Sequence, residues 1–334
     1  MKILILGGKR FLGIALVEAA LQAGHEPMLF NRGNTNPDLF PEIPNLIGNR
    51  DGDINALKGT TWDAVIDTSG FVPRVVKQTA SLLSGNCGSY TFISSVSVYQ
   101  DYLMPDINED YPLARLTDPT TEDYSGDAFG PLKALCEYEI QQNFAGKVLV
   151  IRPGLIVGPH DPTDRFTYWP WRVSKGSKIL APAPPSASLQ FIDVRDLAEF
   201  IIKRIENEDE GVYNVTGPKK PATMSSLLVS CREASTSDAT FVWVEESFLL
   251  ENGVTPWRDL PLWVPSLDPA YTGFYNININ KALKAGLSLR PLSKTVSDTL
   301  HWLETERGEE KLKVGMDIAT ETSLLMKYQQ ENPK

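Results

Sequence analysis

Residues 3–13 read Ile3-Leu4-Ile5-Leu6-Gly7-Gly8-Lys9-Arg10-Phe11-Leu12-Gly13. An apolar run stops at two glycines, and after a third the stretch IALVEAALQAG continues over 14–24 with helical period. Glycine accepts the positive φ of a tight turn and lets backbone approach backbone. A helix starting there turns its free N–H groups and the positive end of its dipole toward the turn, which suits a pyrophosphate. A glycine cluster between a first strand and a first helix therefore reads as a dinucleotide-binding turn. The competing reading is a tight strand-to-helix connection with no ligand.

Outward from this turn the same alternation continues. Strands are predicted over 2–6, 27–30, 46–48, 64–67, 90–94 and 148–152, and helices over 11–23, 75–83 and 129–143. Alternating strands and helices imply a parallel sheet covered on both faces, with ligands outside the carboxyl ends of the strands. After Pro153 the rhythm breaks into GPHDPTDRFTYWPW (158–171) and APAPPS (181–186), then returns in pieces at 196–206, 212–215, 225–234 and 241–244. The expected class is α/β, a Rossmann-type doubly wound parallel sheet with a smaller, interleaved C-terminal substrate-binding domain. Residues 1–157 form the nucleotide domain, with about 190–217 returning to it; 158–189 and 218–303 form the smaller domain, and 304–334 a charged, solvated helical tail.

The 334 residues are 42% apolar and 22% charged, a globular balance, and no apolar run approaches the ~20 residues of a membrane span. The N-terminal apolar run breaks at Gly7, too early for a signal peptide, so a cytoplasmic protein is expected. Cys87, Cys136 and Cys231 are odd in number and lack a CxxC pair, which predicts free buried thiols. With no second His or Cys near His160, no metal site is expected. A net charge of −10 opposes a nucleic-acid partner and favours a small-molecule substrate.

GGKRFLG resembles the glycine turn of the extended short-chain dehydrogenase/reductase superfamily, the NAD-dependent epimerase/dehydratase family. Arg10 replaces the middle glycine, as in atypical members that read GGxRFxG. The resemblance covers nearly the whole chain and is strongest to about Arg195. It implies a nicotinamide dinucleotide held by Gly7, Gly8, Lys9, Arg10, Phe11, Leu12 and Gly13. Where an acid would bind the ribose 2′-hydroxyl of NAD, the chain has Asn31 and Arg32. Arg32, with Lys9 and Arg10, suits a 2′-phosphate, so NADP is expected in preference to NAD; the alternative is a solvated loop cation. IGNRDGD, VIDTSG and VLVIRPGLIVGP resemble later cofactor segments, adding Asn49, Arg50, Thr68, Ser69, Gly70, Pro153, Gly154 and Leu155.

YTFISSVSVY resembles the family's fifth strand and implies Ser95 as the hydroxyl that orients substrate, with Val96 and Ser97 beside it. These serines could equally satisfy backbone at a strand end. The family's Tyr-x-x-x-Lys puts both side chains on one helix face, the Lys holding ribose and lowering the phenol's pKa. Here the segment is FGPLK: Lys133 is present, and Phe129 stands at the tyrosine position. Positioned acid–base catalysis contributes about 10²–10⁴-fold, so its loss impairs turnover. Four explanations are open: a tyrosine replaced by engineering, another proton donor, a protein that binds without turnover, or chemistry that needs no acid. Tyr124, Tyr99 and His160 are the alternative donors.

His160, Arg165, Tyr168, Trp169, Gln190 and Trp257 are the expected substrate contacts, a set suited to a sugar or other polyhydroxylated ring. The tryptophans could instead pack the small domain. The sequence thus implies an NAD(P)-dependent oxidoreductase or epimerase; the other readings are a catalytically weak dinucleotide sensor and an RNA-binding relative. Val96 and Ser97 replace the Asp-Glu pair usual in dehydratases. A helix-paired homodimer is common in the wider family.

Overall fold

The structure is a computed structural model that describes residues 1–265, 267–308 and 311–333. Strands β1 (Lys2–Leu6), β2 (Glu26–Asn31), β3 (Asn45–Ile47), β4 (Trp62–Asp67), β5 (Cys87–Ile93) and β6 (Lys147–Pro153) alternate with helices α1 (Leu12–Gln22), α2 (Pro73–Leu83) and α3 (Phe129–Asn143). Next come β7 (Leu155–Val157), α4 (Tyr168–Ser174), β8 (Lys178–Pro182), β9 (Ser188–Leu189), β10 (Phe191–Asp193), α5 (Val194–Glu206) and β11 (Gly211–Val215). The chain closes with β12 (Ala222–Thr223), α6 (Met224–Ser235), β13 (Thr240–Val244), α7 (Glu246–Glu251), α8 (Asn280–Lys284), α9 (Leu292–Trp302) and α10 (Ile318–Glu331).

Seven strands form one parallel sheet in the order β11-β6-β5-β4-β1-β2-β3. Ile3 and Ile5 face one side, packed with α1 and α5; Leu4 and Leu6 face the other, packed with α2 and α3. An uninterrupted apolar strand is what burial on both faces requires. The chain leaves β1 for β2 on one side and reaches β4 on the other, so the crevice between the carboxyl ends of β1 and β4 is the switch point. No helix among the described residues is long and apolar enough to cross a membrane.

Most of the remaining segments form a second apolar core under α4, α6, β8 and β13, containing Phe166, Tyr168, Trp169 and Trp263, while Ala282 of α8 joins the first. Here the tail departs from expectation. It is not a solvated helix: α10 docks on this core through Leu325 and the fully buried Glu321. Glu321 accepts from Arg172 Nε and, at 2.8 Å, from the Leu180 backbone N–H. Charged residues crowd the sequence just before the helix, at 304–313, and hid a face of Glu321, Leu324, Leu325 and Tyr328 that anchors it.

Glu321→Ala leaves the Arg172 guanidinium buried without its carboxylate. The expected cost is about 3 kcal/mol, read as a lower urea midpoint, with Gln330→Ala on the exposed face as the silent control. An unchanged midpoint for Glu321→Ala contradicts the docked tail.

Candidate active site

The glycines of the first turn are fixed by contact. Gly7 and Gly8 hold φ of 121° and 95°. A Cβ on Gly13 would stand 2.7 Å from the Cα of Gly8, and one on Gly7 would stand 2.4 Å from Thr68 Oγ1. Only glycine lets α1 begin this close to the ends of β1 and β4. No side chain among the described residues caps α1; Gly13 and Ile14 N–H donate to Arg10 O and Phe11 O at 2.9 Å each, so the Leu12 N–H and the glycine turn before it are left for a ligand. They open on a cleft of about 740 Å³ along the carboxyl ends of the sheet. Residues 7–13, Asn31, Arg32, Asn49, Arg50, Thr68 and Ser69 line one part of it. Phe129, Lys133, Tyr124 and Pro153 line another.

Around the end of β2, Asn31 Nδ2 donates to Gly7 O (3.3 Å) and Asn45 Oδ1 (2.8 Å), while its Oδ1 accepts from Gly33 N (2.8 Å). An amide thus braces the glycine turn where an acid was sought. Lys9 is not a free cation: Nζ donates to Pro37 O at 2.7 Å, and Asn36 returns a bond to Lys9 O, so the pair pins the following loop. Arg10 and Arg32 are exposed, with no ion-pair partner among the described residues. Arg50 makes a bidentate pair with the fully buried Asp67, which also accepts from Tyr90 OH at 2.7 Å and from Ser69 N–H at 3.1 Å. The Arg50 guanidinium holds Asp67 below the usual carboxylate range despite its burial. Arg50 Nε stays buried without a partner among the described residues. Thr68 Oγ1 donates to Leu6 O at 2.8 Å, tying β4 to β1. Gly70 lies behind the cleft against Phe92 and Val76.

Further along, Lys133 is buried in the wall, its Nζ donating to Gly70 O (2.7 Å) and Ile93 O (2.6 Å). Its nitrogen lies 4.2 Å from the ring centre of Phe92 and 5.0 Å from that of Phe71. Burial is the leading influence and lowers its pKa to about 8. Phe71 stacks on Tyr124 at 4.9 Å and tilts toward Phe129 at 6.4 Å, making an aromatic wall. Ser95 does not line the cleft. Its Oγ accepts from Ser97 N and donates to Ser97 Oγ, both at 3.0 Å, and so caps the short turn at 96–98. Ser94 lines the cleft instead; its hydroxyl donates to Glu137, itself paired with Arg152 at 2.7 Å. Sequence reading missed Ser94 and Phe71. Ser94's place directly after β5 was the available signal; nothing local marks Phe71.

Several expected contacts lie elsewhere. Tyr168 and Trp169 are fully buried, Trp169 Nε1 donating to Pro261 O at 2.7 Å, because this aromatic run forms the second core. Gln190 is closed off by Ile277, whose N–H it accepts and whose carbonyl it binds. Val96 and Ser97 sit half-buried outside the cleft wall, and Gly154 abuts Thr216 beside Leu155 of β7. His160 faces a separate hollow of about 170 Å³, 5.3 Å from Trp302 and 3.8 Å from Glu306. Arg165 is exposed and lies 5.3 Å over Trp257, away from the cleft wall. Tyr99 OH is held between Asn214 (2.6 Å) and Arg152 (3.2 Å).

The sequence pattern of the NAD dependent epimerase/dehydratase family matches residues 3–216. Chloroplast stem-loop binding protein of 41 kDa b from Arabidopsis thaliana is 27% identical over 255 residues, which is 70% of this chain. The chain spans 63% of that protein's length. Among solved structures, UDP-glucuronic acid 4-epimerase from Bacillus cereus in complex with NAD superposes with a TM-score of 0.65 at 15% identity, covering 94% of this chain and all of that one (100%). A human epimerase family protein with NADPH gives 0.60 at 17%, covering 90% of this chain and 99% of the other.

Lys133 ties the cleft to pH. Its pKa is about 8 when folded against an ordinary 10.5, so the unfolded chain binds more protons between these values. Stability therefore rises with pH across that window, by at most about 1.4 kcal/mol per unit. Relative to Lys133→Met, the wild-type chain should gain stability in urea melts from about pH 8 to 10 and show no change in the gap from about pH 6 to 7. A constant gap throughout contradicts the lowered pKa.

Proposed function

The chain belongs to the NAD dependent epimerase/dehydratase family, and on that premise we propose that it is an NAD(P)-dependent oxidoreductase or epimerase of the extended short-chain type. Its substrate is a hydroxylated or carbonyl-bearing small molecule of sugar-like character. The observation that carries this reading is one cleft running from the glycine turn to Lys133. The cradle fits the cofactor: Gly7, Gly8 and Gly13 leave room where a Cβ would stand, and the start of α1 offers the Leu12 N–H and the positive end of its dipole to phosphates. When bound, the nicotinamide supplies the hydride donor or acceptor. This chain's residues bind and orient. Asn31 sets the turn, Lys133 stands at the nicotinamide end of the cleft, and Phe71, Tyr124 and Phe129 give that end an aromatic face.

NADP is the preferred cofactor on this reading. Arg10 and Arg32 are exposed near the end of β2, and neither is neutralised by an ion pair among the described residues. Fluorescence titration should give tighter binding of NADPH than NADH, and Arg32→Ala should weaken NADPH by about tenfold or more with NADH unaffected. Equal or tighter NADH binding by the wild-type chain overturns the preference.

Turnover is slow because no phenol stands at Phe129. The same residue favours a second reading, a dinucleotide-binding sensor that turns over little. Phe129→Tyr separates them: with a panel of nucleotide sugars and simple sugars, absorbance of the reduced cofactor should report a gain of about 10²-fold or more. No gain with any member discards the missing phenol as the cause. The reading also places the protein in the cytoplasm, acting on small molecules. The net charge of −10 weighs against a stem-loop partner such as the Arabidopsis protein's name carries. The exposed Leu135 and Tyr138 on α3 suit a homodimer paired through that helix.

A further inference from the structure

We propose that Lys133 Nζ itself gives and takes the substrate proton, replacing the absent phenol; this rests on the reading of the cleft as a nicotinamide-dependent active site. The alternative donors are poorly placed. Tyr99 OH is locked between Asn214 and Arg152, and His160 opens on the other hollow. Tyr124 is 50% exposed, so bulk water competes at its hydroxyl.

The geometry at Lys133 suits a change of protonation state. A neutral amine has two N–H donors, and two backbone carbonyls, Gly70 O and Ile93 O, stand within 2.7 Å to accept them. The ammonium adds one further N–H. Both states therefore satisfy both carbonyls, and only the remaining position on nitrogen alternates between lone pair and N–H. A lysine held by carboxylates would lose a strong partner on deprotonation; this one loses none. The charges around it are mixed: Asp67 and Glu137, with the Cys136 thiol, favour the ammonium, while burial and Arg50 oppose it. Burial wins, and the group is poised at about 8, where general acid–base catalysis is effective near neutral pH.

In the oxidising direction the substrate O–H bond breaks and a third N–H bond forms at Nζ, turning amine into ammonium. The carbinol C–H bond releases its hydrogen and electron pair as hydride to an oxidised nicotinamide, the oxidant this step requires. In the reducing direction the ammonium returns that proton to the oxygen.

Two measurements on the intact chain test this without a known substrate. Isotope-labelled lysine followed by NMR should show one side chain titrating near 8, against 10.5 for an ordinary lysine, and Lys133→Arg should remove that signal. Calorimetry of NADP⁺ binding near pH 8, in two buffers of different ionisation enthalpy, should report proton release, because the cationic nicotinamide disfavours a neighbouring ammonium. NADPH should release none, and neither should Lys133→Arg with either form. A Lys133 midpoint near 10, or equal release from Lys133→Arg, overturns the proposal while leaving the functional reading intact. Failure of both NADPH and NADH to bind removes the functional reading, and the proposal with it.

Discussion

The backbone of Gly13 lies against the backbone of Gly8, with no room between them for a single methyl group. That contact sets the angle at which α1 leaves the sheet, and the angle decides what the cleft can be. The helix start comes down on the ends of β1 and β4 with its Leu12 N–H open to the cleft, and Thr68 closes the seam from the other side. Asn31 then braces the turn from β2. Any residue with a Cβ at Gly13 would push the helix outward and open the floor of the crevice. The position of the cleft follows from strand order; its capacity for a phosphate follows from two glycines in contact.

Beneath this floor lies a layer of buried charge. Arg50 with Asp67 and Arg152 with Glu137 are ion pairs removed from water, and such pairs gain little net stability over apolar packing. What they do here is fix side chains at the cleft wall. Glu137 holds Ser94, Asp67 holds Arg50, and Arg152 holds Tyr99. Lys133 is the exception in the layer, since backbone carbonyls hold it and no carboxylate touches it. Its charge is correspondingly easier to remove, and that ease links the wall to proton transfer.

Much of this was legible beforehand. The glycine turn, the parallel alternation and α3 over 129–143 all rest on local pattern, and local pattern survives folding when each strand is buried on both faces. The substrate side was less legible. Tyr168 and Trp169 looked like ligand contacts because they sit in a proline-rich loop sequence, yet they form a short helix that fills a second core. An aromatic side chain has the same composition in a pocket or in a core, and only long-range packing decides. Gln190 was misread, and the loop bond of Lys9 missed, for a related reason. Each meets a backbone group distant in the chain, Pro37 and Ile277, that no spacing rule could supply. The tail helix misled because the charged run at 304–313 precedes it, while Leu324, Leu325 and Tyr328 on the helix itself pack on the second core.

A crystal structure of the chain with NADPH tests the central claim most directly. The account predicts the pyrophosphate on the start of α1, the 2′-phosphate at Arg32 and the nicotinamide ring beside Lys133 and Phe129. A dinucleotide bound elsewhere, or one whose nicotinamide turns away from Lys133, contradicts it.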